Sequence, residues 1–330
     1  MAGSDTKFVG SIPEKYDAHL GPFLFEPCAV DFVRRLTQHE DARVLELACG
    51  TGILTRRILE LLPGSGRLTA TDLNQPMLEH AQRRVGPDAR LEWRMADAMK
   101  LPFQDESFDR VICQFGVMFF PDKLVALREA RRVLKRGGEF SFNVWDSPRR
   151  NHYEELAEAV VAGFFPADPP TFFQVPFGYH DQGAIHSVMQ EAGFANIRLV
   201  EVTLEGKSPT AMHAAVGLVE GCPLIVAIQE RGVSDPKPIV EAVAKKLVSA
   251  FGDSPMRCQL GALWIAGTKP SGFLLPQASN GRPACEKQND STVPMRPRRL
   301  ITESRVKLGL LRAIGTLPFL FWYESLQIGN

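Results

Sequence analysis

The chain has 330 residues, of which 45% are hydrophobic and 23% charged, an ordinary globular composition that implies a sizeable core. Lysine plus arginine balance aspartate plus glutamate at 38 each, so no global field draws the chain to nucleic acid or to an anionic membrane. The six cysteines are scattered and never at metal-ligand spacing; this argues against a metal site and a disulfide framework and for reduced thiols in the cytoplasm.

The N-terminus lacks the apolar stretch of a secretory signal, and residues 1–24 read as a cap segment containing Tyr16. From about residue 25 to 145 short apolar runs alternate with helical periodicity, which predicts parallel strands joined by crossover helices. Strands are expected at 44–47, 67–71, 91–95, 110–114 and 139–145. Helices are expected at 52–62, 75–84 and 123–134, the last stopped by Gly137 and Gly138. Right-handed crossovers place the strand ends on one side. Further on, 151–164 and 182–191 read as helices, 165–179 as a Pro- and Phe-rich lid region, and 195–204 as a strand. Residues 210–250 read as helical with a break at 234–238, and 259–267 as a last strand. The expected class is α/β: a doubly wound, mostly parallel seven-stranded sheet with helical lid insertions at about 146–180 and 205–258, and a C-terminal tail. The main domain is expected over 25–269. Residues 270–330 turn Pro-, Ser- and Arg-rich and read as a linker and tail, partly disordered. Their most apolar stretch, 306–323, contains Lys307, Arg312 and Pro318, so no membrane span is expected.

The densest chemical signal is Val44-Leu-Glu-Leu-Ala-Cys-Gly-Thr-Gly52, followed by Asp72 at the end of the second strand. A strand, a glycine turn, a helix start and a second strand ending in an acid form a unit that holds a nucleoside, the acid accepting from ribose hydroxyls. Glu46 lies inside the first strand, where an acid is costly unless a cation or a donor meets it; a ligand ammonium would do so. Reading Gly50-Thr-Gly52-Ile-Leu-Thr55 as a dinucleotide fingerprint fails, because Thr55 stands where a third glycine allows close helix packing. No Gly-Lys-Ser/Thr follows to grip a phosphate, so a ligand without pyrophosphate fits better. Asp97 after the third strand can accept from an adenine amine while the Ala98 amide donates to a ring nitrogen; a helix N-cap is the alternative use of Asp97.

Glu46-Leu-Ala-Cys-Gly-Thr-Gly52, Asp72, Asp97-Ala98, Leu101-Pro-Phe with Ser107-Phe-Asp109, and Glu129-Ala-Arg-Arg-Val-Leu-Lys-Arg-Gly-Gly138 resemble, in order, the motifs of class I S-adenosylmethionine-dependent methyltransferases of Rossmann-like fold. The subgroup with the ubiquinone/menaquinone-biosynthesis enzymes is the most similar. Ala48 departs from the glycine that many members carry there. The resemblance implies S-adenosyl-L-methionine as cofactor, Glu46 at its methionine end, and Gly50 and Gly52 as points of close backbone approach. It implies Asp72 on the ribose, Leu73 and Met77 over the adenine, Asp97 and Ala98 at its edge, Gln114 near the ammonium, and Tyr16 folded over the cofactor. The loop 113–120 would line the path to the substrate, with Val117 and Phe119 as core packing.

A methyl sulfonium is an activated donor, so alignment behind the methyl group and exclusion of water are the main demands, and a base is optional. Phe164, Phe165, Phe172, Phe173, Phe177 and Tyr179 in the lid region predict a small, apolar or aromatic acceptor. Among His152, His180 and His186, His180 is the candidate base because it follows the aromatic loop. Two other readings stay open at this point: an NAD-type oxidoreductase of related fold, and a protein that senses the cofactor without turnover. Nucleic acid is not an expected partner, because no basic stripe with interleaved aromatics is present; a homodimer is left open.

Overall fold

A computed structural model describes residue 8 and residues 10–36 and 42–272. The chain divides after Leu275, so these residues belong to the first unit; the expected tail from residue 273 onward, including the stretch 306–323, lies outside them.

Seven strands form one sheet in the order β3-β2-β1-β4-β5-β7-β6. They are β1 (Arg43–Glu46), β2 (Arg67–Asp72), β3 (Leu91–Met95), β4 (Phe108–Gln114), β5 (Leu134–Trp145), β6 (Ala195–Ser208) and β7 (Met256–Thr268). β1 to β5 run parallel, with Val44 opposite both Leu68 and Arg110. β7 is antiparallel to both β5 and β6, pairing Ile265 with Phe142 and Leu199. The mostly parallel seven-stranded α/β expectation is therefore correct. Val44 to Glu46 and Leu68 to Asp72 are buried without interruption, as strands covered on both faces require.

The helices are α1 (Ile12–Lys15), α2 (Glu26–Arg34), α3 (Ile53–Leu61), α4 (Gln75–Val85), α5 (Lys123–Val133), α6 (His152–Phe164), α7 (Gln174–Phe177), α8 (Gln182–Glu191), α9 (Ala211–Glu220), α10 (Leu224–Glu230) and α11 (Lys237–Phe251). Between α1 and α2, Tyr16–Phe25 is π-helical. Pro22 sits inside it and has no N–H to give, and the Glu26 amide donates five residues back to Gly21; the widened turn carries the chain past the proline without ending the helix. The N-terminal cap is thus a helical strap, which packs against α9, β6 and α2.

Several boundaries differ from the sequence reading, including earlier starts for β4 at Phe108 and β7 at Met256. β5 begins at Leu134 and takes Gly137 and Gly138 into the strand. A β-carbon at Gly138 would stand 2.9 Å from the Asp109 carbonyl oxygen, so the glycine serves strand approach rather than helix termination. β6 runs four residues further than expected because β7 pairs with it along its length to Ser208. The expected helical stretch at 210–250 is three helices, the first two separated at 221–223. No single helix among the described residues is long and apolar enough to cross a membrane.

Candidate active site

Two cavities lie beside one another at the carboxyl ends of the parallel strands, where the sheet order reverses between β1 and β4; doubly wound sheets bind ligands at such a point. The first is a cleft of about 380 Å³. Ala48 and Gly50 after β1, Asp72 to Asn74 after β2, Ala96 to Met99 after β3 and Gln114 to Gly116 after β4 line it, with Met77 of α4 and Tyr16 of the strap. Nine of the sequence-predicted residues therefore meet here: Tyr16, Ala48, Gly50, Asp72, Leu73, Met77, Asp97, Ala98 and Gln114.

Asp72 is 6% exposed. Its Oδ2 accepts from the Gly50 amide at 2.9 Å, and its Oδ1 accepts from the Asn74 amide at 2.8 Å. Burial raises its pKa, and these donors oppose the rise. The hydrogen bonds fix the carboxylate across the β1 and β2 loops and leave lone pairs for a ligand diol. Asp97 is exposed, and its Oδ1 accepts from the Met99 amide at 2.9 Å. It closes a tight turn, with Lys100 donating to the Asp97 carbonyl; no helix follows, so the helix-cap alternative falls.

Glu46 lines a narrower recess beside the cleft, with Thr51 and Gln114. It is 1% exposed, and its Oε2 accepts from the Thr55 hydroxyl at 2.7 Å. Burial pushes its pKa up to about 8, against the lowering effect of that bond. Gln114 donates through Nε2 to the Phe25 carbonyl at 2.9 Å. Its Oε1 and the Thr51 hydroxyl are buried without a partner among the described residues. A recess lined by a buried carboxyl and orphaned oxygens suits a ligand ammonium, which supplies donors and charge at once.

Gly52 lines neither cavity. Its φ is +80°, and a β-carbon there would stand 2.9 Å from Val85 Cγ2 and 3.2 Å from Ala81 Cβ. Its smallness lets α3 start against α4, which corrects the expectation that a ligand approaches it. His180 also lies outside both walls. Its Nδ1–H donates to the Phe177 carbonyl at 2.7 Å, so it terminates α7 instead of lining either cavity.

The second cavity, about 70 Å³, is almost wholly apolar. Leu20, Leu24 and Phe25 of the strap, Trp145 at the end of β5, and Leu218 and Cys222 around the end of α9 line it. Of the six lid aromatics, Phe172, Phe173 and Phe177 reach it. Phe164 is 45% exposed, Phe165 packs on the core, and the Tyr179 ring lies under Lys123 Nζ at 5.0 Å. Phe8, Tyr16, Phe115 and Phe119 belong to both cavity walls. Val117 is fully buried core as expected, and Phe119 packs on the core as expected while also forming part of the partition. Tyr16 stacks on Phe25 at 4.7 Å, and burial, then the nearby Asp72 charge, raises its phenol pKa. Phe115 falls within the loop 113–120 expected to line the path to the substrate, whereas sequence reasoning did not single out Phe8 or Trp145.

Residues 44–138 match the family model for a methyltransferase domain. Demethylmenaquinone methyltransferase of Staphylococcus aureus is 28% identical over 206 residues, covering 58% of this chain and 86% of that protein. Among solved structures, Haemonchus contortus phosphoethanolamine N-methyltransferase 2 in complex with S-adenosyl-L-methionine shares the fold at a TM-score of 0.51 and 18% identity, over 78% of this chain and 56% of that one. The same enzyme in complex with phosphomonomethylethanolamine and S-adenosylhomocysteine gives 0.51 and 17%, over 78% and 57%. With the motif order, sheet order and cleft described above, the chain carries an S-adenosylmethionine-dependent methyltransferase domain over these residues, and its cofactor is S-adenosylmethionine.

Proposed function

We propose that this methyltransferase moves the methyl group in line onto a small, flat, apolar or aromatic acceptor of quinone-like shape held in the aromatic chamber. The observation that carries this reading is the shared wall: a polar cleft and an apolar chamber meet at Phe8, Tyr16, Phe115 and Phe119. A donor on one side and an acceptor on the other would face each other there with water excluded, which is what displacement at an activated sulfonium requires. The relative in S. aureus, named for demethylmenaquinone, supports a quinone-like acceptor. With the cofactor assigned, the nicotinamide alternative drops out.

In this reading Glu46, Gln114 and Thr51 hold the methionine ammonium, and Asp72 accepts from the ribose hydroxyls. Leu73 and Met77 cover the adenine, Asp97 and the Ala98 amide read its edge, and Tyr16 closes over the sulfonium side. The bound cofactor supplies the electrophilic methyl group; the chain's own part is alignment and dryness. Five cysteines among the described residues are free and buried, in keeping with a cytoplasmic protein.

Incubation with methyl-labelled cofactor and 1,4-naphthohydroquinone, kept reduced, tests the acceptor class. Label in the aromatic product is the expected result, and no incorporation above a no-enzyme control would count against a quinone-like acceptor. His180→Gln is expected to leave kcat within about twofold of wild type, the scale of a substitution away from any special feature. A large fall in kcat with unchanged cofactor affinity would return His180 to the mechanism.

A further inference from the structure

Among the described residues, four that are not glycine have positive φ, and two of them, Ala48 (+51°) and Phe115 (+53°), stand on the loops after the paired strands β1 and β4. A left-handed backbone is costly for any residue with a β-carbon, and such outliers persist where surrounding structure over-determines them. Phe115 is held in this way. Its amide donates to the Asn143 backbone oxygen at 3.2 Å and to Asn143 Oδ1 at 3.0 Å, and Asn143 is itself buried. The next residue leaves no slack: a β-carbon on Gly116 would stand 2.5 Å from Ala48 Cβ and 2.7 Å from Cys113 Sγ.

The constraint has a directional result. The Phe115 ring lies nearly parallel to Trp145, with centroids 4.0 Å apart and planes at 17°, and Trp145 continues to Phe177 at 5.8 Å and 19°. Three rings thus form one slab along the aromatic chamber, and Phe115 is its only member that also lines the cofactor cleft. A flat π-system is favoured against such a slab by quadrupole alignment as well as by area, whereas a saturated ring of similar size has area alone.

We propose that Phe115 is a specificity-determining residue that selects flat aromatic acceptors over saturated ones, and that Asn143 is the positioning residue that holds it at the junction. This rests on reading the two cavities as donor cleft and acceptor chamber. Calorimetry with 2-naphthol and decahydro-2-naphthol, in saturating S-adenosylhomocysteine, tests it on wild type, Phe115→Leu, Phe115→Tyr and Asn143→Leu. Wild type should prefer 2-naphthol about tenfold, the upper range of an aromatic pair beyond area. Phe115→Leu should abolish the preference, Phe115→Tyr should restore it, and Asn143→Leu should reduce it, all with S-adenosylhomocysteine affinity maintained. Equal binding of the two probes by wild type, or a preference that survives Phe115→Leu, would overturn the role of Phe115; a preference unchanged in Asn143→Leu would overturn that of Asn143. Failure of wild type to bind S-adenosylhomocysteine would strike the cleft reading instead.

Discussion

Asp72→Ala should weaken S-adenosylhomocysteine binding by roughly 100-fold, the loss of two charge-assisted hydrogen bonds at the lower end of their usual strength. The carboxylate is buried at the end of β2, with its lone pairs only partly occupied by the Gly50 and Asn74 amides. Alanine would remove the ribose acceptor and also release the Gly50 amide, which ties the β1 loop to β2. The variant is expected to fold, because Asp72 lies at a strand end and β2 keeps its pairing with β1 and β3. Calorimetry on wild type, Asp72→Ala and Asp72→Asn measures the effect; asparagine preserves one acceptor without charge and should fall between the other two. Equal affinity for all three would remove Asp72 from the cofactor site. The pKa of Asp72 is raised, chiefly by burial, so affinity should also decline as pH falls through that raised value and the acceptor becomes protonated.

Glu154→Gln should stabilise the protein in alkali and change it little in acid. Glu154 lies in the first turn of α6 and is 1% exposed; its Oε2 has no hydrogen-bond partner among the described residues. Burial, with the like charges of Glu158 and Glu155, pushes its pKa up to about 8 from an ordinary 4.5. The folded chain therefore holds this proton more tightly than the unfolded chain does. The stabilisation is complete below the unfolded pKa, is lost as pH rises toward the folded pKa, and is level beyond it. A glutamine keeps the shape without the charge, and should gain roughly 2–4 kcal/mol near pH 8.5 and almost nothing near pH 5. Denaturant melts across that range should show the two proteins converging at low pH. Parallel curves would show that Glu154 does not bind the proton. Glu46 titrates in the same direction and to about 8, so some slope should remain in Glu154→Gln, and the cofactor should alter that part if its ammonium meets Glu46 as proposed.

What the sequence determined was the part written in local rules. Strand and helix order through Trp145 followed from short apolar runs alternating with helical periodicity. The acids at the ends of β1, β2 and β3 were readable because a carboxylate directly after a buried strand has few structural uses. The proposed cofactor cleft is built mostly from such strand ends, which is why nine of the predicted residues line it. The aromatic chamber was readable only as a tendency toward aromatic residues, and half of those proved to be elsewhere.

Only the tertiary structure decided the rest, because it depends on residues far apart in the chain. Gly52 looked like a ligand contact until Val85 and Ala81 were found against it. His180 looked like a candidate base, yet it lines neither cavity and its Nδ1–H is bonded to the Phe177 carbonyl. The π-helical turn that carries the strap past Pro22 brings Tyr16 between the two cavities, and no local pattern announced it. The left-handed backbone of Phe115 has no sequence signature, since phenylalanine disfavours it; it exists because Asn143, twenty-eight residues later, accepts from its amide. Local pattern therefore brought out the residues of the polar cleft, whereas the wall it shares with the aromatic chamber is a product of long-range packing.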